Sequence, residues 1–172
     1  INQGVKKVII AVPEMSIGKS FKSTALSDYG FFADWEVADR YNLCLNLALS
    51  DTRKSTIFSE FLTTDSSDDS LPQVLVCTHH SFRYGFDKVI EDGGSIELFN
   101  DVLIGIDEFH HVSADDSNRL GAILDGIMTQ TSAHIVAMTG SYFRGDSVPI
   151  LSDSDEEKFD KVTYTYYEQL NG

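Results

Sequence analysis

Positive charge is scarce in this sequence: 13 Lys and Arg stand against 27 Asp and Glu in 172 residues, a net charge of −14. A free-standing nucleic-acid binder is normally basic, because phosphate contacts supply most of its affinity. A broadly basic binding surface is therefore excluded, and any contact with DNA or RNA falls to a local patch or to another domain. Cysteine occurs only twice. That excludes a disulfide framework and makes a reducing, cytoplasmic setting the expectation. No apolar run approaches the roughly 20 residues that span a bilayer, and no basic-then-apolar leader opens the chain, so no membrane partner is expected. Internal repeats and coiled-coil heptads are also missing. What is present is a globular composition, 42% hydrophobic and 23% charged, long enough for one domain with a sizeable core. The chain runs from Ile1 to Gly172 with no change of composition at either end, and a piece of something longer is expected.

Lys7 to Val12 reads KVIIAV, a short apolar run of the kind buried on both faces of a parallel sheet. Similar runs begin at Tyr41, Gln73, Asp101 and His134. Helix-like stretches lie between them, at Lys19 to Leu26, Thr52 to Leu62, Ser81 to Ile90 and Ser117 to Met128. This alternation predicts an α/β fold, a mostly parallel central sheet flanked by helices. Val162 to Tyr167 reads as an added strand or exit segment. Two acidic stretches, Thr63 to Ser70 and Ser152 to Glu157, read as solvated loops. The segment from Asp28 to Asp39 crowds Tyr29, Phe31, Phe32 and Trp35. It reads as a loop packed on the sheet edge or, alternatively, as a surface for an adenine base or a neighbouring domain.

Three strand ends carry chemistry. Directly after the first strand comes PEMSIGKS, Pro13 to Ser20. It matches the phosphate-loop pattern GxxxxGK[ST] at Gly18, Lys19 and Ser20, with Pro13 in the first glycine position and Glu14, Met15, Ser16 and Ile17 between. In such a loop Lys19 reaches the β- and γ-phosphates of a nucleotide and the Ser20 hydroxyl ligates Mg²⁺. A plain strand-to-helix turn with a surface lysine would read the same way. The run VLIGIDEFHH ends in Asp107 and Glu108. Two acids at the mouth of a buried strand cost stability unless a cation or hydrogen bonds compensate. In P-loop enzymes the first holds Mg²⁺ and the second polarises the attacking water. The third end is MTGSYFRGD, with Thr139, Gly140 and Ser141, whose short side chains suit hydrogen bonds between neighbouring strand ends. Arg144 beyond it is a weaker candidate for a charge-stabilising finger, and His111 reads as a satisfied or exposed histidine.

Taken in order, PEMSIGKS, CTHHSF, IDEFHH and MTGSY resemble the first RecA-like domain of a superfamily 2 helicase or translocase. Asp107 to His110 matches the DExH box, Thr139 to Ser141 stands at the following motif, and Thr78-His79 resembles the strand-end motif that touches the nucleic-acid backbone. The likeness extends from Lys7 to about Ile150, and in a narrower form it resembles a helicase-like family of phages and mobile elements. It implies a single RecA-like ATP-binding domain over residues 1–172, with ATP and Mg²⁺ as cofactors and Lys19, Asp107 and Glu108 as catalytic residues. It further implies metal ligation by Ser20 and Asp107, coupling through His110, Thr139, Gly140 and Ser141, and nucleic-acid contact at Thr78 and His79. The partners implied are DNA or RNA and a second RecA-like domain in cis, which completes the ATP cleft and is not part of these residues. Departures are Pro13 in the loop and the lack of an adenine-reading glutamine motif. A packaging-type or other P-loop motor, and a degenerate module that binds nucleotide without turnover, remain alternatives.

Overall fold

The computed structural model describes residues 5, 7–31, 34–45, 47–64, 73–110, 119–140 and 157–162. Four of the five apolar runs form strands: β1 (Lys7–Val12), β2 (Gln73–Thr78), β3 (Val102–Ile106) and β4 (His134–Ala137). They pair in one sheet, parallel throughout, in the order β2-β1-β3-β4. Ile9 of β1 lies opposite Leu75 on one side and Ile104 on the other. Side chains alternate between faces along each strand. Ile9, Ala11, Leu75, Cys77, Ile104 and Ile106 enter one core, while Val8, Val12, Val74 and Val76 enter a second, smaller one on the opposite face. This two-sided burial is why these strands read as continuous apolar runs. The result is the parallel α/β architecture expected from the sequence.

Three long helices, α2 (Asp51–Thr63), α3 (His79–Glu91) and α4 (Arg119–Gln130), share the larger core. Phe58 and Phe61 of α2, Phe82 of α3 and Leu124 and Ile127 of α4 are its main contributions. Phe58 meets Phe82 edge-on with ring centroids 5.4 Å apart. Gly85 lets α2 and α3 approach this closely, since a Cβ there would lie 2.3 Å from Phe58 Cγ. The Ser50 hydroxyl caps α2 by accepting from the Arg53 amide at 3.2 Å. Beyond α3 the turn passes through Gly93 at φ 81°, a left-handed position that glycine takes without penalty. Arg119 at the start of α4 pairs with Asp87 of α3.

The smaller core is covered differently. A single helical turn, α1 (Met15–Gly18), and the irregular stretch that follows it pack there, with Val37 and Cys44 buried and Met15, Ile17, Phe21 and Trp35 set against them. The helix expected over Lys19 to Leu26 does not form. Lys19 closes α1, and Thr24 instead bridges Trp35 in antiparallel pairing before a 3₁₀ turn at Leu26–Tyr29. Ser23 and Thr24 explain this, because short hydroxyl side chains favour local backbone bonds over helix interiors; Ser23 Oγ accepts from the Val37 amide at 3.1 Å. The strand expected from Tyr41 is likewise reduced to one parallel bridge, Asn42 to Val76. Tyr41 ends a 3₁₀ turn, and residues 43–45 form a turn rather than a strand. The other helices match within two residues at each end, Ser117 excepted. That residue lies outside the described residues, as do His111, Ser141, Arg144, both acidic stretches for the most part, and the alternation after Val162. Among the described residues no helix is long and apolar enough to cross a membrane.

Candidate active site

All four strands are parallel, so their C-terminal ends share one edge of the sheet, the place where open α/β sheets bind ligands. Pro13 to Ser20 leaves β1 there, Thr78-His79 leaves β2, Asp107 to His110 leaves β3, and Thr139-Gly140 follows β4. The topology alone thus gathers the four motifs.

The turn after β1 is compact. Pro13 bends the chain, Glu14 is extended, and α1 winds once into Lys19, which is half-buried with right-handed helical angles. The Lys19 amide donates to the Met15 carbonyl and the Ser20 amide to the Ile17 carbonyl, both at 3.0 Å. The Ser20 hydroxyl also donates to Ile17, at 2.7 Å. The inward-facing amides of an open phosphate loop are therefore used within the turn here. Gly18 is required by packing: a Cβ would lie 2.3 Å from Cys44 Sγ. Burial pushes the Cys44 thiol up from its usual range, against the opposing pull of the Lys54 and Lys19 charges, so it stays a protonated, inert packing group. Cys77 is raised further, by burial first and Cys44 second. Both cysteines are free.

The end of β3 is held on two sides. The Asp107 amide donates to the Ala11 carbonyl of β1 at 2.9 Å, and the Phe109 amide to the Met138 carbonyl beyond β4 at 2.8 Å. Between them the Glu108 amide donates to Asp107 Oδ1 at 3.0 Å, which orients that carboxylate. Glu108 itself sits at φ 49°, a left-handed conformation uncommon for a residue with a Cβ. His110 lies next to it, with Nδ1 3.1 Å from Glu108 Oε2 and 2.9 Å from Thr139 Oγ1. The structure thus brings Glu108, His110 and Thr139 into one chain of polar contacts. Gly140 is different: a Cβ there would meet nothing within 4 Å, so no close approach among the described residues demands glycine.

At the end of β2, Thr78 Oγ1 accepts from the Ser81 amide at 3.1 Å and caps α3. His79 reaches across the edge, and its Nε2 donates to the Asp107 carbonyl at 2.9 Å. The carbonyl can only accept, so the ring hydrogen resides on Nε2. For Mg²⁺, the Asp107 carboxylate and Ser20 hydroxyl are hard oxygen donors of the right kind. Among the described residues no three His, Cys, Asp or Glu converge into a metal cage.

Sequence reasoning missed Asn42. It is 2% exposed. Its Nδ2 donates to the carbonyls of Gly18 at 3.0 Å and Phe21 at 3.2 Å, and its Oδ1 accepts from the Cys44 amide at 3.1 Å. Leu43 then donates to the Val76 carbonyl at 2.8 Å, which ties this clamp to β2. The available signal was a lone amide inside the apolar run YNLCLNLAL. Trp35 was singled out in sequence, but its pairing with Thr24 was not legible there.

No family model and no solved structure matches the chain. Over all 172 residues it is 56% identical to a protein of Bacillus subtilis (strain 168) described as "Putative ATP-dependent helicase YeeB", and it spans 26% of that relative's length.

Proposed function

We propose that this chain is the RecA-like nucleotide-binding domain of an ATP-driven helicase or translocase, of the DExH type, whose ATP cleft is completed by a second domain in cis. The observation that carries the reading is the polar chain from Glu108 through His110 to Thr139 at the edge where the phosphate turn also emerges. Whole-length similarity to the B. subtilis protein supports it, and that relative's greater length leaves room for the second domain.

In this reading Lys19 meets the β- and γ-phosphates, with Pro13 to Ser20 as their cradle. The amides of Lys19 and Ser20 exchange their partners within the turn for phosphate oxygens. Ser20 and Asp107 hold Mg²⁺, which would neutralise charge on the phosphates. Glu108 orients the attacking water. His110, whose Nδ1 lies within polar contact of both Glu108 and Thr139 beyond β4, reports the state of the site to Thr139, Gly140 and Ser141. Thr78 and His79 meet the nucleic-acid backbone at the same edge, through hydroxyls and amides rather than a basic surface. A non-catalytic nucleotide-binding module is the second reading, favoured by the self-bonded turn and Pro13.

The test is ATPase activity of the full-length protein with and without single strands, for wild type and Lys19→Ala. Strand-stimulated turnover that Lys19→Ala abolishes, together with weakened nucleotide binding, is expected. Nucleotide binding without turnover in the wild type selects the module reading.

A further inference from the structure

The stretch that replaces the expected helix after the phosphate turn builds a cavity of about 420 Å³, lined by Ser20, Phe21, Lys22, Thr24, Leu26 and Trp35. Its size falls within the range of small-ligand clefts, about 300–1,000 Å³. Its walls are fixed. The Thr24 and Trp35 amides donate to each other's carbonyls at 2.8 and 2.9 Å. Asp34 Oδ1 accepts from the Ser27 amide at 2.9 Å and hydroxyl at 2.6 Å, closing the loop between them. Phe21 and Trp35 are half-buried against the smaller core, so the rings that border the cavity are backed by packed side chains rather than left mobile.

We infer that this cavity seats the base of the nucleotide whose phosphates the turn holds, with Trp35 as the stacking platform. The inference rests on the phosphate-turn reading above. Three features favour a nucleobase. Ser20 belongs to both the turn and the cavity, so the cavity begins where the phosphates would be. Its lining sets aromatic and aliphatic surface from Phe21, Leu26 and Trp35 beside the polar side chains of Ser20, Lys22 and Thr24. A nucleoside has the matching division, an apolar ring face with a polar edge and sugar. Base–aromatic stacking depends on the ring face and tolerates different bases, so a preference for ATP over GTP is not part of the inference.

Trp35 is the sole tryptophan of the chain, so emission from the 172-residue protein reads this cavity directly. The experiment titrates the protein with Mg-ATP, Mg-tripolyphosphate and a short single-stranded oligonucleotide, and measures affinities by calorimetry for wild type, Trp35→Leu, Trp35→Phe and Lys19→Ala. ATP is expected to change Trp35 emission. Tripolyphosphate is expected to compete with ATP while leaving the emission unchanged. Trp35→Leu should weaken ATP binding about five- to hundredfold, the equivalent of one lost stacking contact, and leave tripolyphosphate affinity as it was. Trp35→Phe should recover most of the loss. ATP binding by Trp35→Leu at wild-type affinity overturns the base site. Equal losses for ATP and tripolyphosphate overturn it too, because they make Trp35 part of the turn's scaffold. Emission changes caused by the oligonucleotide without nucleotide assign the ring to a strand and also overturn it. Failure of the phosphate-turn reading looks different: the full-length wild type binds neither ATP nor tripolyphosphate, or full-length Lys19→Ala binds both as the wild type does.

Discussion

Glu108 holds a conformation its side chain does not favour. A left-handed residue with a Cβ costs on the order of 1–3 kcal/mol and persists where its surroundings fix it; here the flanking Asp107 and Phe109 amides are bonded to β1 and to the segment after β4. The turn aims the carboxylate toward His110. Relief of the strain and loss of the carboxylate can be separated by substitution. Glu108→Gly is expected to melt at the same temperature as wild type or above it, and Glu108→Gln to gain nothing. A thermal melt in which Glu108→Gly is the least stable of the three contradicts a strained position. Asn42 is the opposite case, a buried polar residue with its amide satisfied at both ends. Asn42→Leu leaves two carbonyls and one amide without this partner and should cost about 1–3 kcal/mol, read as a lower midpoint in chemical denaturation. An unchanged midpoint would remove the clamp from the account.

Among the elements, α3 and the loop over the smaller core make contrasting predictions. Thr78 caps α3, so Thr78→Ala should destabilise the fold by about 0.5–2 kcal/mol. If Thr78 also meets nucleic acid, the full-length variant should bind single strands more weakly even where a melt shows it fully folded. Strand affinity equal to wild type leaves Thr78 as a cap alone. In the loop, the Ser27 hydroxyl and amide that donate to Asp34 hold its carboxyl below the ordinary carboxylate range. A depressed folded value means that the contact stabilises the loop above the unfolded pKa, about 3.9, and is lost as pH falls through the folded value. Trp35 emission should therefore stay flat from pH 8 to about 5 and change only below about 4. A transition near neutral pH would assign the loop's order to some other group.

These elements also mark what the sequence made legible. β1, β2 and β3 stood out because burial on both faces leaves no polar alternation to confuse them. β4 stood out by its apolar run alone, since Val136 is exposed there, and Leu120, Ile123, Leu124 and Ile127 traced α4 by their spacing. The Lys19 to Leu26 helix failed because its competitor was non-local. Pairing between Thr24 and Trp35, and the Ser23 hydroxyl on Val37, decide that stretch, and no local pattern encodes a partner more than ten residues away. Asn42 was hidden for the same reason, since its value lies in carbonyls of Gly18 and Phe21. At the site, the motif residues were legible one strand end at a time. The contact of His110 with both Glu108 and Thr139 required the strand order β2-β1-β3-β4, which places β3 and β4 side by side.

At the scale of the whole molecule, the net charge of −14 leaves no long-range attraction for a polyanion. The sheet edge is accordingly read as a place of short contacts, with phosphates at Lys19, acids at the β3 end and a strand beside β2. The proposed second domain bears on rate, because an arginine finger in related chemistry is worth about 10³–10⁵ in turnover. In the proposed mechanism the β3 acids act on a nucleotide held by the turn after β1. The most direct measurement is strand-stimulated ATP turnover of the full-length protein beside ATP affinity, for wild type and Glu108→Gln. Affinity within about twofold of wild type and turnover lower by roughly 10²–10⁴, the range for a lost general acid–base group, is the expected result. Turnover of Glu108→Gln equal to wild type contradicts the account.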